Sequence, residues 1–366
     1  MTCAASSRRA RSVVSSSSPE SHVPRALIVG IAGTRVGANE FTFIREADPL
    51  GFILFARNVA AREQVIALVE ELRGAVGRAD APVLIDQEGG RVARLRPPQW
   101  RAAPAAAAFG ALARLNRNHG LRAATLNAQL IGAELAALGI TVDCAPVADV
   151  PVAEADPIIG DRAFDTAPEA VAALAGAFCD GLDAAGVLPV IKHIPGHGRA
   201  TADSHKDLPR VTASRADLSA QDFVPFRALA RRTGPQPWAM TAHVVYECCD
   251  KDAPATLSHT VITDVIRGDI GFDGVIISDD LSMDALTGPY DARAGHALSA
   301  GCDLVLHCNG RIEEMTGVAA GCGPVGAETV LRLERSLGAL RPSAAFDVAA
   351  GVAELDALMA TVRGAA

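Results

Sequence analysis

The chain has 366 residues, 49% of them apolar, with 33 Gly and 21 Pro, which is enough apolar material for a large core and too much for a disordered chain. Its 34 basic and 42 acidic side chains leave a net charge of -8, the wrong sign for a surface that neutralises phosphates, so nucleic acid is not an expected partner. Eleven Phe, two Trp and two Tyr are too few to line a long groove with stacking rings, and a small pocket suits this composition better.

Residues 1–24 are rich in Ser and Arg but lack the continuous apolar stretch of a secretory signal; they read as a disordered extension ahead of one domain, 25–366. From Ala26 onward, short runs rich in Val, Ile and Leu predict strands at 26–32, 51–56, 81–87, 141–149, 187–194, 238–245, 274–280 and 302–309. Helical periodicity lies between them, as in REQVIALVEELRGAV after Ala61. Near-continuous apolar strands alternating with helices indicate parallel pairing buried on both faces, hence an α/β chain with a single (β/α)8 TIM-type barrel. Segments 213–233 and 325–364 carry periodic Ala and Leu and are expected as helices on the outside.

The later strands stay apolar until their last positions and then turn polar, ending in Asp86, Asp149, Lys192 with His193, His243, Asp279 with Asp280, and Asn309. In such a barrel all carboxyl ends of strands open on one face, so these groups converge on one pocket. Any one of them alone would read as a strand meeting solvent.

Three stretches could carry chemistry. KHIPGHGRATADSHKDLP, Lys192 to Pro209, places three of the nine histidines within thirteen positions, and Gly196 and Gly198 give it the freedom of a mobile catalytic loop. Its Asp203-Ser204-His205 is either a carboxylate orienting an imidazole for proton transfer or an Asx-type turn. GFDGVIISDDLSM, Gly271 to Met283, ends a strand in Asp279 and Asp280; adjacent strand residues point to opposite sides, so only one, Asp279 by preference, is expected to face the pocket centre while the other braces the site from outside. LIDQEGGRVARLRPP, from Leu84, brings Asp86 together with Arg91 and Arg94, a carboxylate and guanidinium set suited to gripping neighbouring hydroxyls or to a simple ion pair. Arg162 in GDRAF and His243 in MTAH are further candidates for the pocket wall, although His243 could equally be a core histidine.

No GxxxxGK[ST] and no helix-opening GxGxxG is present, so no nucleotide cofactor is expected. HExxH is absent, and Pro195, Gly196 and Gly198 disfavour the helix that would let His193 and His197 share a zinc ion. No metal and no other cofactor is expected. The rival reading is a metal-dependent hydrolase on the same barrel, with His193, His197, His205, His243 and Asp279 converging on zinc. The eight cysteines form no CxxC and read as buried thiols of a reducing compartment, with one of the adjacent Cys248 and Cys249 facing solvent. No run of about 18 uncharged apolar residues is present, so no membrane span is expected.

Taken together, IDQEGGRV, GDRAF, KHIPGHGRATADSH, TAHVVY followed by PATLS, and GFDGVIISDDLSM resemble the bacterial β-N-acetylhexosaminidases of glycoside hydrolase family 3, in the same order from Ala26 to about Asn309. The resemblance implies Asp279 as nucleophile, His205 as acid/base with Asp203 as its partner, and sugar contacts from Asp86, Arg94, Arg162, Lys192 and His193. Ile194 departs from the family, where a Phe is common. The chain ends soon after its eighth strand, without the domain that supplies a Glu acid in the β-glucosidase branch, which implies the N-acetylglucosaminidase branch. The implied activity is a retaining, exo-acting release of terminal N-acetylglucosamine from anhydromuramoyl peptides in the cytoplasm during cell-wall recycling. A single copy of the chain is the expected working unit, with a small carbohydrate as its only partner.

Overall fold

The computed structural model describes residues 23–204, 207–341 and 345–363. In chain order the strands are β1 (Arg25–Val29), β2 (Pro49–Leu54), β3 (Val83–Ile85), β4 (Val142–Asp143), β5 (Leu188–Ile194), β6 (Arg210–Val211), β7 (Trp238–Thr241), β8 (Val245–Tyr246), β9 (Ile276–Asp280) and β10 (Leu304–His307). Eight of them close a parallel barrel in the order β1-β2-β3-β4-β5-β7-β9-β10, with β10 returning to β1. This is the (β/α)8 architecture expected from the apolar runs. The proposed extension 1–24 lies outside the described residues as far as residue 22.

Side-chain alternation explains why the strands read as unbroken apolar runs. Ile28, Leu84, Val142, Val190, Ile277 and Leu306 pack together inside the barrel. Their neighbours Leu27, Val83, Ile191, Ile276 and Val305 belong to the larger cluster between barrel and helices. Both faces of every barrel strand are therefore buried in apolar surroundings. Trp238, at the start of β7, closes the barrel floor and donates from Nε1 to Ser336 Oγ at 3.0 Å, tying the floor to helix Ala327–Ser336.

Both segments expected on the outside contain helices: Arg215–Ala220 and Phe223–Ala230 in the first, Ala327–Ser336 and Val348–Arg363 in the second. Several strands are shorter than expected, β4 most of all: beyond Asp143 the chain still bonds its neighbours, the Cys144 amide donating to Ile85 at 2.8 Å and the Lys192 amide to Pro146 at 3.1 Å, but the ladder is irregular. The Gln87 amide donates to the Asp143 side chain at 2.9 Å rather than to a backbone carbonyl, and Pro146 has no amide to donate. The predicted strand 238–245 is divided: β8 leaves the barrel and pairs with β6, just after the histidine-rich loop. Among the described residues no helix is long and apolar enough to cross a membrane.

Candidate active site

A cavity of about 320 Å³ opens at the carboxyl ends of the barrel strands. Asp86, Arg94, Arg162, Lys192, His193 and Asp279 all line it. The six residues come from loops and strand ends far apart in sequence, and the barrel brings them to one face.

The floor is a chain of alternating charges. Lys192 Nζ bonds Asp86 Oδ1 at 2.9 Å and Glu88 Oε1 at 2.7 Å, Arg94 Nη2 donates to Asp86 Oδ2 at 2.9 Å, and Arg162 grips Glu88 through Nε and Nη2, both at 2.9 Å. Burial alone would raise the Asp86 carboxyl, but the charges of Lys192 and Arg94 outweigh it and hold the group well below the usual carboxylate range. Glu88 is held low in the same way, by Lys192 and Arg162 against burial. Burial pulls Lys192 down, yet Asp86 and Glu88 more than reverse this, so the ammonium stays charged. Such a grid of fixed donors and acceptors suits a ligand dense in hydroxyls.

Local backbone features aim these groups. Gly89 and Gly90 turn the chain at φ of 96° and 57°, and a Cβ on Gly89 would stand 2.4 Å from the Pro104 carbonyl oxygen. The buried Gln87 side chain accepts from the amides of Arg94 and Leu95 at 2.8 and 3.0 Å, which returns Arg94 to Asp86. Arg91, paired in sequence reasoning with Arg94, points elsewhere: it bonds Asp161 at 2.8 Å and the carbonyls of Ile158 and Ile159, bracing the loop that carries Arg162.

Adjacent residues Lys192 and His193 both face the cavity, as do Asp279 and Asp280. Both aspartates therefore lie on the lining, where one is expected at the pocket centre and the other as a brace, and strand register brings the second to the wall. Opposite β10, residues Leu304 and Leu306 pair with Ile277 and Asp280, so β9 carries one extra residue; opposite β7, β5 carries one extra between Lys192 and Ile194. Such bulges re-aim side chains at the rims of barrels. The Asp280 carboxylate is engaged by the Ser282 amide and hydroxyl at 2.9 and 2.7 Å and by the Cys308 amide at 3.1 Å, so it braces the rim.

The buried Asp149 carboxylate is a clamp beneath the cavity wall. Its Oδ1 accepts from the amides of His193 and His197 at 3.1 and 2.7 Å, and its Oδ2 lies 2.7 Å from His193 Nδ1. Burial would raise this carboxyl, but the His193 imidazole together with the ring and amide of His197 outweighs it and brings the group down to about 2. With Nδ1 so engaged, His193 keeps Nε2 for a ligand. His243 is satisfied inside the protein: Nε2 donates to the Asp280 carbonyl at 3.0 Å, so the neutral ring accepts at Nδ1 from Thr256 Oγ1 at 2.7 Å. Burial lowers its pKa, in keeping with the core-histidine reading.

The first half of the histidine-rich loop is anchored. His197 and Ala200 are buried, the Val152 amide donates to the Gly198 carbonyl at 3.1 Å, and Arg199 Nε donates to Asp222 at 2.7 Å. Gly198 is required by close approach, since a Cβ there would meet the Val150 carbonyl oxygen at 2.0 Å. His197 Nε2 lies 3.2 Å from Ser204 Oγ, and burial lowers its pKa to about 4, so the ring is neutral. Asp203 follows on this loop but is not part of the cavity lining, and His205 lies outside the described residues.

Sequence reasoning missed Glu88 and the clamping role of Asp149. Glu88 stands two positions beyond Asp86, the spacing at which an extended chain returns to the same face, so a signal was present.

Residues 34–324 match the N-terminal domain of glycosyl hydrolase family 3. A β-hexosaminidase of Tolumonas auensis is 42% identical over 289 residues, covering 78% of this chain and 83% of the relative. NagZ of Neisseria gonorrhoeae, solved in complex with N-trifluoroacetyl-D-glucosamine, superposes with a TM-score of 0.81 at 34% identity, covering 94% of this chain and 98% of that one. A family 3 β-N-acetylglucosaminidase of a Paenibacillus species gives 0.73 at 32% identity, covering 93% and 62%. With this cavity, and with similarity running through nearly the whole barrel, the chain belongs to glycosyl hydrolase family 3 and is a glycosidase of the β-hexosaminidase group.

Proposed function

We propose that this glycosidase is a retaining, exo-acting β-N-acetylglucosaminidase that removes terminal N-acetylglucosamine from peptidoglycan-derived anhydromuramoyl peptides, working as a monomer in the cytoplasm. The observation that carries the reading is a carboxylate, Asp279, on the wall of a small cavity that is also lined by the Asp86, Arg94, Lys192, Glu88 and Arg162 charge grid. A volume of about 320 Å³ is at the low end of ligand cavities, which suits one terminal sugar. The N-acylated glucosamine held by the gonococcal relative supports the same sugar class.

In this reading Asp279 attacks the anomeric carbon and forms a glycosyl-enzyme intermediate. His205, partnered by Asp203, protonates the leaving oxygen and then deprotonates the incoming water. An imidazole in place of a second carboxylate avoids two negative charges beside one developing cationic sugar, and it leaves an anionic acceptor such as phosphate able to approach. Asp86, Arg94, Arg162, Lys192 and His193 hold the sugar hydroxyls, with Glu88 and Asp149 orienting them.

The rival metal-dependent reading needs His193, His197, His243 and Asp279 to converge with His205. Against it, both His243 nitrogens are engaged by protein atoms, Nδ1 by Thr256 and Nε2 by the Asp280 carbonyl. The decisive experiment is turnover of a chromogenic N-acetyl-β-glucosaminide beside the matching glucoside, with Asp279→Ala, His205→Ala and EDTA-dialysed wild type. Turnover of the N-acetylated sugar, its abolition in Asp279→Ala, and a smaller loss in His205→Ala with the activated leaving group are expected. A glycosyl adduct trapped on another side chain, or activity lost in EDTA and restored by zinc, would overturn the proposal. Release of N-acetylglucosamine from a disaccharide anhydromuramoyl peptide, followed by mass spectrometry, tests the natural substrate.

A further inference from the structure

Cys248 and Cys249 occupy the turn after β8 and take no part in the sugar cavity. Cys248 is exposed and Cys249 half-buried, whereas Cys144, Cys179, Cys302, Cys308 and Cys322 are all buried. The two sulfurs lie 3.6 Å apart. Their turn is held firmly: the amides of Cys249 and Asp250 both donate to the Tyr246 carbonyl, at 2.8 and 2.9 Å, and the Glu247 amide donates to Val211 at 3.1 Å. Arg215 fixes the inner sulfur, with Nη1 donating to Cys249 Sγ at 3.2 Å while Nη2 is held by Asp269 at 2.8 Å.

We propose that Cys248 and Cys249 form a two-thiol site that captures one soft, thiophilic ion of the trivalent arsenical type. The spacing decides between the two reactions open to such a pair. A disulfide needs sulfurs about 2.05 Å apart, so the pair would have to close by about 1.6 Å against the hydrogen bonds that hold the turn. A trivalent ion with a lone pair is pyramidal, so two bonds of about 2.3 Å at roughly 100° keep its sulfurs about 3.5 Å apart. The observed 3.6 Å already fits the chelate. Thiolate donors select soft ions. Among the described residues no three His, Cys, Asp or Glu side chains group to hold a metal, so this is not a closed four-ligand zinc centre. It suits an ion that takes two protein sulfurs and brings its own third group.

With phenylarsine oxide the step balances without an oxidant or reductant. Both S–H bonds and the arsenic–oxygen bond break, two S–As bonds form, the oxygen leaves as water with the two thiol protons, and arsenic remains trivalent.

The test uses the full chain carrying Cys3→Ser, treated with one equivalent of phenylarsine oxide and read by intact mass. One phenylarsenic adduct per chain is expected, stable to β-mercaptoethanol and stripped by dimercaptopropanol. The adduct should be lost in Cys248→Ser and in Cys249→Ser separately and kept in Cys322→Ser, with glycosidase turnover in both lossy variants unchanged as proof of folding. Failure of the adduct to form, its persistence in either single variant, or its removal by monothiol as readily as by dithiol would overturn the assignment.

Discussion

Replacing Glu88 with Gln tests whether the charge grid under the cavity is organised by a residue that itself need not react. Glu88 accepts two hydrogen bonds from Arg162 and one from Lys192, with side-chain exposures of 7%, 10% and 3% for the three. Gln keeps the shape but removes the charge and turns one acceptor into an NH₂ that faces a guanidinium N–H. Removing one partner of a buried ion pair costs about 3–5 kcal/mol. Lys192 keeps Asp86 at 2.9 Å, so the lower end, roughly 3 kcal/mol, is expected. Against a total stability of about 5–15 kcal/mol this is a large fraction. Urea unfolding followed by the fluorescence of the buried Trp100 and Trp238 should show a clearly lower midpoint. KM for the N-acetyl-β-glucosaminide should rise about tenfold or more, since about 1.4 kcal/mol of lost orientation at Lys192 and Arg162 is enough. Asp161→Ala breaks the Arg91 pair, whose members are 43% and 50% exposed, and should cost under about 1 kcal/mol. Equal midpoints for Glu88→Gln and wild type, with KM unchanged, would refute the reasoning.

Asp149, held at about 2 in the fold against an ordinary 3.8, stabilises the protein above pH 4, and this contribution is lost as pH falls through 2. It is worth roughly 2–3 kcal/mol, so acid unfolding of Asp149→Asn should lack the wild-type stability gain between pH 2 and 4; identical acid profiles would count against the clamp. Gly198→Ala should lower the thermal midpoint and kcat together, because the new Cβ meets the Val150 carbonyl oxygen at 2.0 Å and one of two backbones must move; an unaltered enzyme would show that the loop yields freely. Tyr246 donates from its buried hydroxyl to the Gly196 carbonyl at 2.7 Å, so Tyr246→Phe leaves that oxygen unsatisfied and should cost about 1–3 kcal/mol in urea unfolding. A variant of wild-type stability would mean that water replaces the hydroxyl.

The eight barrel strands were legible because each is apolar on both faces, a pattern that depends on composition along a short window and not on which neighbour a strand finds. Asp86, Lys192, His193 and Asp279 were legible as well, since polar residues at the ends of apolar runs emerge on one face of such a barrel, whereas Arg94 and Arg162 stand in loops and were named as sugar contacts only by the resemblance. The resemblance to family 3 rested on the same stretches.

Partnership was a different matter. Whether Arg91 or Arg94 meets Asp86 depends on a loop closed by Gln87, and nothing in the local sequence ranks the two guanidiniums. That Asp279 and Asp280 share the cavity wall follows from one extra residue in β9 against β10, a register relation between strands 23 residues or more apart. Alternation along the chain sets which residues are candidates, because it is a local property of an extended backbone. Pairing across the barrel sets which candidates touch, because charges and ladders are satisfied by neighbours that the linear order does not name.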